Sequence, residues 1–348
     1  MNGYSTVRED LYRLVVGWEA QTRDTRDHSQ HRLLLDQVLF HADTRFNDYV
    51  QYQEEGVFPV RLKKWLECVD TDAEKQTLLR LLSSLLFVDR LQMQALRRDA
   101  YRRIIVPWIR QGELTIQDVF GADYNARLVS LLKQYALYSI TESFNFPEFI
   151  NVNSLAGLKK PIILGEVSKS KVASLMPDPH AEIKGLIFFE DFVGTGDQAG
   201  RLLMEARRVS PSQWRMLFVP LIILEKGLNT LKTKLGPSGI EFSPVFTVPE
   251  SHCVKEAAVD GEPQEFASFR ALAMSTRERV LQRLGEGDDP PKNPFGYLGS
   301  GALVVTCHNT PNNTLPLIHH RAPQWFALFR RVHYSNPSST VWQKKAGF

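Results

Sequence analysis

Between Gly185 and Arg201 the chain reads GLIFFEDFVGTGDQAGR, and no other stretch narrows its fold as much. Leu186, Ile187, Phe188 and Phe189 make an apolar run of strand length, suited to a strand covered on both faces. Glu190 and Asp191 follow where such a strand leaves the core, and Gly194, Thr195 and Gly196 permit a tight turn with exposed backbone amides. Helical spacing resumes from Gln198 to Arg208. In an open parallel sheet, ligands bind beyond the carboxyl ends of the strands, and a turn feeding a helix start suits a phosphate. Two carboxylates beside a bare phosphate would repel it. They make sense facing the hydroxyls of an attached sugar, or a magnesium ion, while the amides hold a terminal phosphate. A phosphorylated ribose has that distribution of groups.

The rest of the chain supplies a frame for this segment. From Pro161 onward, short apolar runs alternate with turns and amphipathic stretches: PIILGEV, GLIFFE, RMLFVPLIIL, IEFSPVFTV and ALVVTCH. That alternation predicts an α/β fold with a mostly parallel sheet flanked by helices. Before about Ser143 apolar residues recur at three and four positions, as in Leu78, Leu79, Leu81, Leu82, Leu85 and Leu86, and strand-like runs are missing. The expectation is an all-helical domain over 1–145, followed by an α/β domain over 146–348, a size that two domains suit. Helices are expected at Val7 to Gln21, Arg32 to Leu39, Val60 to Val69, Thr71 to Phe87, Arg90 to Arg110 and Tyr124 to Tyr138. Gly285 to Gly301, rich in Gly, Pro and Asp, reads as a long loop.

Composition excludes more than it suggests. The 42 basic and 39 acidic residues nearly balance, so nothing general argues for nucleic acid or an acidic membrane. The start, MNGYSTVRED, lacks the apolar core of a secretion signal, and the longest apolar run, Met216 to Leu224, contains Pro220 and is far short of a membrane span. A cytoplasmic setting is expected. Cys68, Cys253 and Cys307 are too widely separated for a zinc site and odd in number, so they are expected to be reduced and buried. Motifs of the forms GxxxxGKS/T, HExxH, GxSxG and CxxC are missing.

The stretch EDFVGTGDQ resembles the signature loop of type I phosphoribosyltransferases, the purine salvage enzymes above all. The resemblance implies that Glu190 and Asp191 bind ribose hydroxyls in the catalytic step, with Asp191 as the metal contact. It also implies that Gly194, Thr195, Gly196, Asp197 and Gln198 form the phosphate turn. Ser168 and Lys169, after PIILGEV, fall where such enzymes contact pyrophosphate, although a solvated turn opening a helix is the plainer alternative. Two positions depart from the salvage pattern. Gly194 replaces the aspartate beside the base, and Asp197 and Gln198 replace a basic residue and a hydroxyl. A carboxylate about 5 Å from a phosphate costs roughly 3 kcal/mol per charge pair at an effective dielectric near 20. Asp197 avoids that cost if it turns away and caps a helix beginning at Gln198.

A longer resemblance spans most of the chain. The helical start carrying RLKKWL and DAYRRIIVPWI, then EDFVGTGDQ, then HNTPNNTLPLIH, is similar to the PRTase-CE family of phosphoribosyltransferase-like proteins, associated with bacterial conflict systems. It implies a type I phosphoribosyltransferase-like fold, a phosphoribosyl or nucleotide ligand, suspected magnesium, and protein partners in an anti-phage complex.

Several further groups carry two readings each. Asn309, Asn312 and Asn313 could read a base edge, but turns are the commoner use of Asn. Trp325 and Phe326 could stack on a base or pack an edge. His319 and His320 are adjacent, poor geometry for a shared metal, and read as a solvated pair. The basic run from Arg97 to Arg103 reads as an exposed helix face, with a partner contact as the lesser alternative. Three functions remain: a transferase acting at the anomeric carbon of phosphoribosyl pyrophosphate, a nucleotide sensor that kept the fold without turnover, and a partner-dependent effector.

Overall fold

The computed structural model describes residues 2–21, 28–49, 56–111, 114, 116–165, 169–282, 293–322 and 325–331. The chain forms two compact units, Met1–Arg90 with Glu250–Phe348, and Leu91–Pro249. The boundary expected between 145 and 146 falls inside the second of these. Among the described residues no helix is long and apolar enough to cross a membrane.

In the first unit the expected helices are present as Asn2–Gln21, His28–Thr44, Phe58–Leu66 and Asp72–Ser83. Thr71 and Glu74 close the last of these with a reciprocal capping box, which stops it from starting earlier. Helix was expected to run on to Phe87, but it ends at Ser83, and β1 (Leu86–Val88) follows. This strand pairs in parallel with Val304–Thr306 of ALVVTCH, the last strand of the chain, as a separate two-stranded sheet. Neither joins the large sheet expected for that segment. Phe46, Phe58, Phe87 and Phe329 pack ring to ring, with Phe46 at 4.8 Å from Phe58 and 5.4 Å from Phe329. The helical start and the end of the sequence therefore share one core. Residues 285–292 of the expected loop lie outside the described residues.

The second unit carries the six-stranded parallel sheet. Its strands are β2 (Tyr135–Ser139), β3 (Ile162–Ile163), β4 (Gly185–Val193), β5 (Arg215–Leu224), β6 (Ile240–Phe242) and β7 (Phe246–Val248), and Val304–Thr306 of the first unit is β8. The order is β3-β2-β4-β5-β6, with β7 also on β5. The strand β2 lies where helix was expected to continue from Tyr124 to Tyr138; helix stops at Leu132. Pairing with β4, from Tyr135 opposite Gly185 to Ser139 opposite Phe189, outweighs the local helical spacing.

Leu186 to Phe189 of β4 are buried on both faces, as expected, and so is β5 from Met216 to Leu224. On one face Leu186, Phe188, Met216 and Phe218 meet Leu202, Leu203 and Ala206 of the helix Asp197–Val209, together with Leu231 and Leu235 of the helix Glu225–Leu235. Pro220 has no N–H for a ladder, and the neighbouring strand is broken beside it. β6 ends at Phe242, opposite Phe218, and β7 begins at Phe246, opposite Ile222.

Candidate functional site

β4 continues to Val193, so Glu190 and Asp191 lie within the strand rather than beyond it. Both are buried, at 4% and 6% exposure. The pair was expected where the strand leaves the core; it sits inside the core instead. Successive residues of a strand point to opposite faces, and the two carboxylates have different surroundings.

Glu190 reaches toward the loop after β2. Its Oε2 accepts from the Thr141 amide at 2.8 Å, and its Oε1 accepts from the hydroxyls of Thr141 at 2.7 Å and Ser143 at 2.8 Å. Burial pushes its pKa up to about 7; the hydrogen bonds from Thr141 and Ser143 oppose that rise and the Asp191 charge adds to it. Glu190 is therefore a group able to take or give a proton near neutral pH.

Asp191 shares its face with Phe189, which packs on Phe144 at 4.9 Å and Phe149 at 5.1 Å. On that side Arg97 Nη2 lies 3.6 Å from Asp191 Oδ1, and Arg97 Nη1 donates to Glu148 Oε2 at 2.7 Å. Glu148 stands in the first turn of the helix Phe146–Asn153, whose start Asn145 caps, and also accepts from Gln94 Nε2 at 3.2 Å. Arg97 has no exposed surface, which corrects the expected solvated basic face; Arg98, Arg102 and Arg103 are exposed as anticipated. Arg97 was overlooked as a site residue. Its signal was spacing, since it stands four residues after Met93 and three and four before Ala100 and Tyr101, all buried. The helix passes into a π-helical stretch at Ala100–Ile105, directly after this arginine's turn.

The turn after β4 is built as expected but closely packed. Gly194, Thr195 and Gly196 are buried, and Gly196 has φ +78°, a left-handed conformation that glycine adopts without strain. Helix begins at Asp197 itself, with Gly196 in the capping position, so Asp197 is not the cap that was expected. Its carboxylate accepts from Lys234 Nζ at 2.8 Å, and this bond holds its pKa below the usual value, with smaller help from Thr195 and Lys226. The positive charge of Lys234 answers the repulsion a phosphate would otherwise meet there. Gln198 is exposed on the first turn. A Cβ on Gly227 would stand 2.3 Å from the Gly194 carbonyl oxygen, so the helix Glu225–Leu235 and the turn fit only because that residue is glycine. Gly227→Ala is expected to destabilise the protein by about 1–3 kcal/mol through this backbone clash. Thermal melting would show it, and an unchanged melting temperature would mean that the turn has room to spare.

The remaining expected residues are placed as follows. Ser168 lies outside the described residues; Lys169 opens the helix Lys169–Leu175, and its side chain is outside them too. Asn309, Asn312 and Asn313 belong to the first unit and serve turns there. Asn309 Oδ1 accepts from the Thr310 amide at 2.9 Å, the Asn312 carbonyl accepts from the Tyr297 amide at 2.8 Å, and Asn313 Nδ2 donates to Ser300 Oγ at 2.8 Å. Trp325 is buried and donates to the Leu317 carbonyl at 3.1 Å, while Lys64 Nζ sits over the Phe326 ring at 5.5 Å. His319 is half-buried rather than fully solvated: its Nε2 donates to the Thr314 carbonyl at 3.0 Å, and burial pushes its pKa down to about 3. Cys253 and Cys307 are buried free thiols, and Cys68 is half-buried.

Magnesium prefers six oxygens at close to octahedral geometry and keeps several waters. The donors here do not supply them. Among the described residues no group of three or more His, Cys, Asp or Glu side chains could hold a metal. Glu190 is held by three donors toward the β2 loop, and Asp191 faces Arg97. An ion on Asp191 about 5 Å from that guanidinium would be repelled by roughly 7 kcal/mol at an effective dielectric near 20, which offsets part of the carboxylate's attraction for it. The magnesium contact expected at Asp191 is a poor fit to this carboxylate.

The model of the PRTase-CE family matches residues 62–331, more than three quarters of the chain. No curated protein matches the sequence.

Proposed function

The chain belongs to the PRTase-CE family and is a phosphoribosyltransferase-like protein, and from that premise we propose that it binds a phosphorylated ribose at the carboxyl end of β4. One observation carries the reading. Glu190 and Asp191 on a central parallel strand are followed within a few residues by a buried glycine turn that opens the helix Asp197–Val209. The amides of Asp197, Gln198 and the turn would anchor the 5′-phosphate. Asp191 and Glu190 would face the ribose hydroxyls and support positive charge developing at the anomeric carbon. Phosphoribosyl pyrophosphate is the favoured ligand, and Lys169 would neutralise its pyrophosphate as it leaves. The family's association with conflict systems supports a role in anti-phage defence alongside protein partners.

Calorimetry tests the binding step: saturable heat with ribose 5-phosphate and with phosphoribosyl pyrophosphate, and none with ribose, is the expected result. Absence of heat with every ribose phosphate discards the reading. A nucleotide sensor without turnover is the second reading, favoured by the fact that both carboxylates are buried and already engaged by protein groups. Pyrophosphate release in the presence of candidate bases separates the two, since binding without release supports the sensor.

A further inference from the structure

We propose that Arg97 is the resident cation of this site: it balances Asp191 in place of a divalent ion, so the protein takes ribose monophosphates, including nucleoside monophosphates, without a metal on that carboxylate. The second half of this statement rests on the ribose-phosphate reading above; the first does not.

Arg97 has the features of a fixed counter-charge. It is fully buried, and its planar guanidinium presents its donors in a fixed fork. Its side chain is held from one end by Glu148 at 2.7 Å, itself braced by Gln94 and by the cap at Asn145. Its own carbonyl accepts from Asn153 Nδ2 at 3.2 Å, which ties the helix to the same neighbour. From that anchored position Nη2 reaches to 3.6 Å from Asp191 Oδ1. Nε and Nη2 have no hydrogen-bond partner among the described residues, and of the two it is Nη2 that approaches Asp191. One guanidinium thus stands between two carboxylates, and a dication on Asp191 would have to settle against that fixed positive charge. A ligand whose binding required a metal bridge to Asp191 would bring that metal up against Arg97. A sugar monophosphate needs no such bridge, because its hydroxyls can meet the carboxylate directly.

Manganese, which can be counted by its electron paramagnetic resonance, is the probe for the first half. The wild-type protein and Asp191→Asn are expected to bind the same amount of manganese, whereas Arg97→Met gains one ion that a second change, Asp191→Asn, removes. A wild-type manganese ion that Asp191→Asn abolishes overturns the proposal, and so does a folded Arg97→Met protein that gains none. Should Arg97→Met fail to fold, the comparison of wild type with Asp191→Asn still decides. For the second half, calorimetry with ribose 5-phosphate is run in excess chelator and in excess magnesium. Affinities within about twofold of each other are expected, and binding lost in chelator overturns the metal-free claim. Silence in both buffers removes the ribose-phosphate reading and with it the monophosphate claim, while the manganese comparison still judges Arg97.

Discussion

Arg97→Met is expected to cost about 3–5 kcal/mol of unfolding free energy, the range found when one partner of a buried ion pair is removed. The variant leaves the half-buried Glu148 and the buried Asp191 without their shared cation. Methionine keeps much of the apolar stem, so the loss reports charge more than volume. A mutant cycle separates these contributions: with Glu148→Gln and Asp191→Asn already in place, the cost of Arg97→Met should shrink, because no carboxylate then loses its cation. An equal deficit in both backgrounds would assign Arg97 a packing role and remove the electrostatic account.

The second large effect belongs to Glu190. Its carboxyl is more comfortable protonated in the fold than in the unfolded chain, because its pKa rises from 4.5 to about 7. Stability from this group is therefore fully present below about pH 4.5 and is lost as pH rises through about 7, a total of about 3 kcal/mol by linkage. Glu190→Gln removes the titration and keeps the hydrogen-bonding pattern, since the amide oxygen can accept from the Thr141 N–H while the two hydroxyls rotate to accept from its NH₂. Above pH 8 the Gln variant should be more stable than the wild type by up to that amount, and near pH 4.5 the two should converge. Parallel stability curves across that range would show that Glu190 titrates no differently in the fold than outside it. Glu190→Ala is a different experiment, because it leaves the Thr141 amide without its acceptor and destabilises at every pH.

Both effects arise from residues whose identity was plain in the sequence and whose environment was not. The run Leu186 to Phe189 announced a strand covered on both faces, and the glycines at 194 and 196 announced the turn, because these are local constraints of side-chain size and backbone freedom. Helix periods were legible for the same reason, as at Leu78 to Leu82, where the apolar stripe repeats within a single element. The segments Leu86–Val88 and Tyr135–Ser139 are strands only because β8 and β4 lie alongside them. Such pairing joins residues separated by more than 200 positions in the first case, and no local window contains it.

What the sequence determined by itself was the parallel α/β class, the strand–turn–helix at Gly185 to Arg201 and the family to which the chain belongs. Tertiary structure alone decided the union of the two chain ends in one unit, the extension of β4 past its acidic pair, and the burial of Glu190 and Asp191. It also decided that one arginine of a basic run turns inward to Asp191 while its neighbours stay in water. A charge is written in the sequence, but its solvent and its nearest opposite charge are properties of the folded neighbourhood. Those two quantities set whether a carboxylate holds a sugar, a metal or another part of the protein.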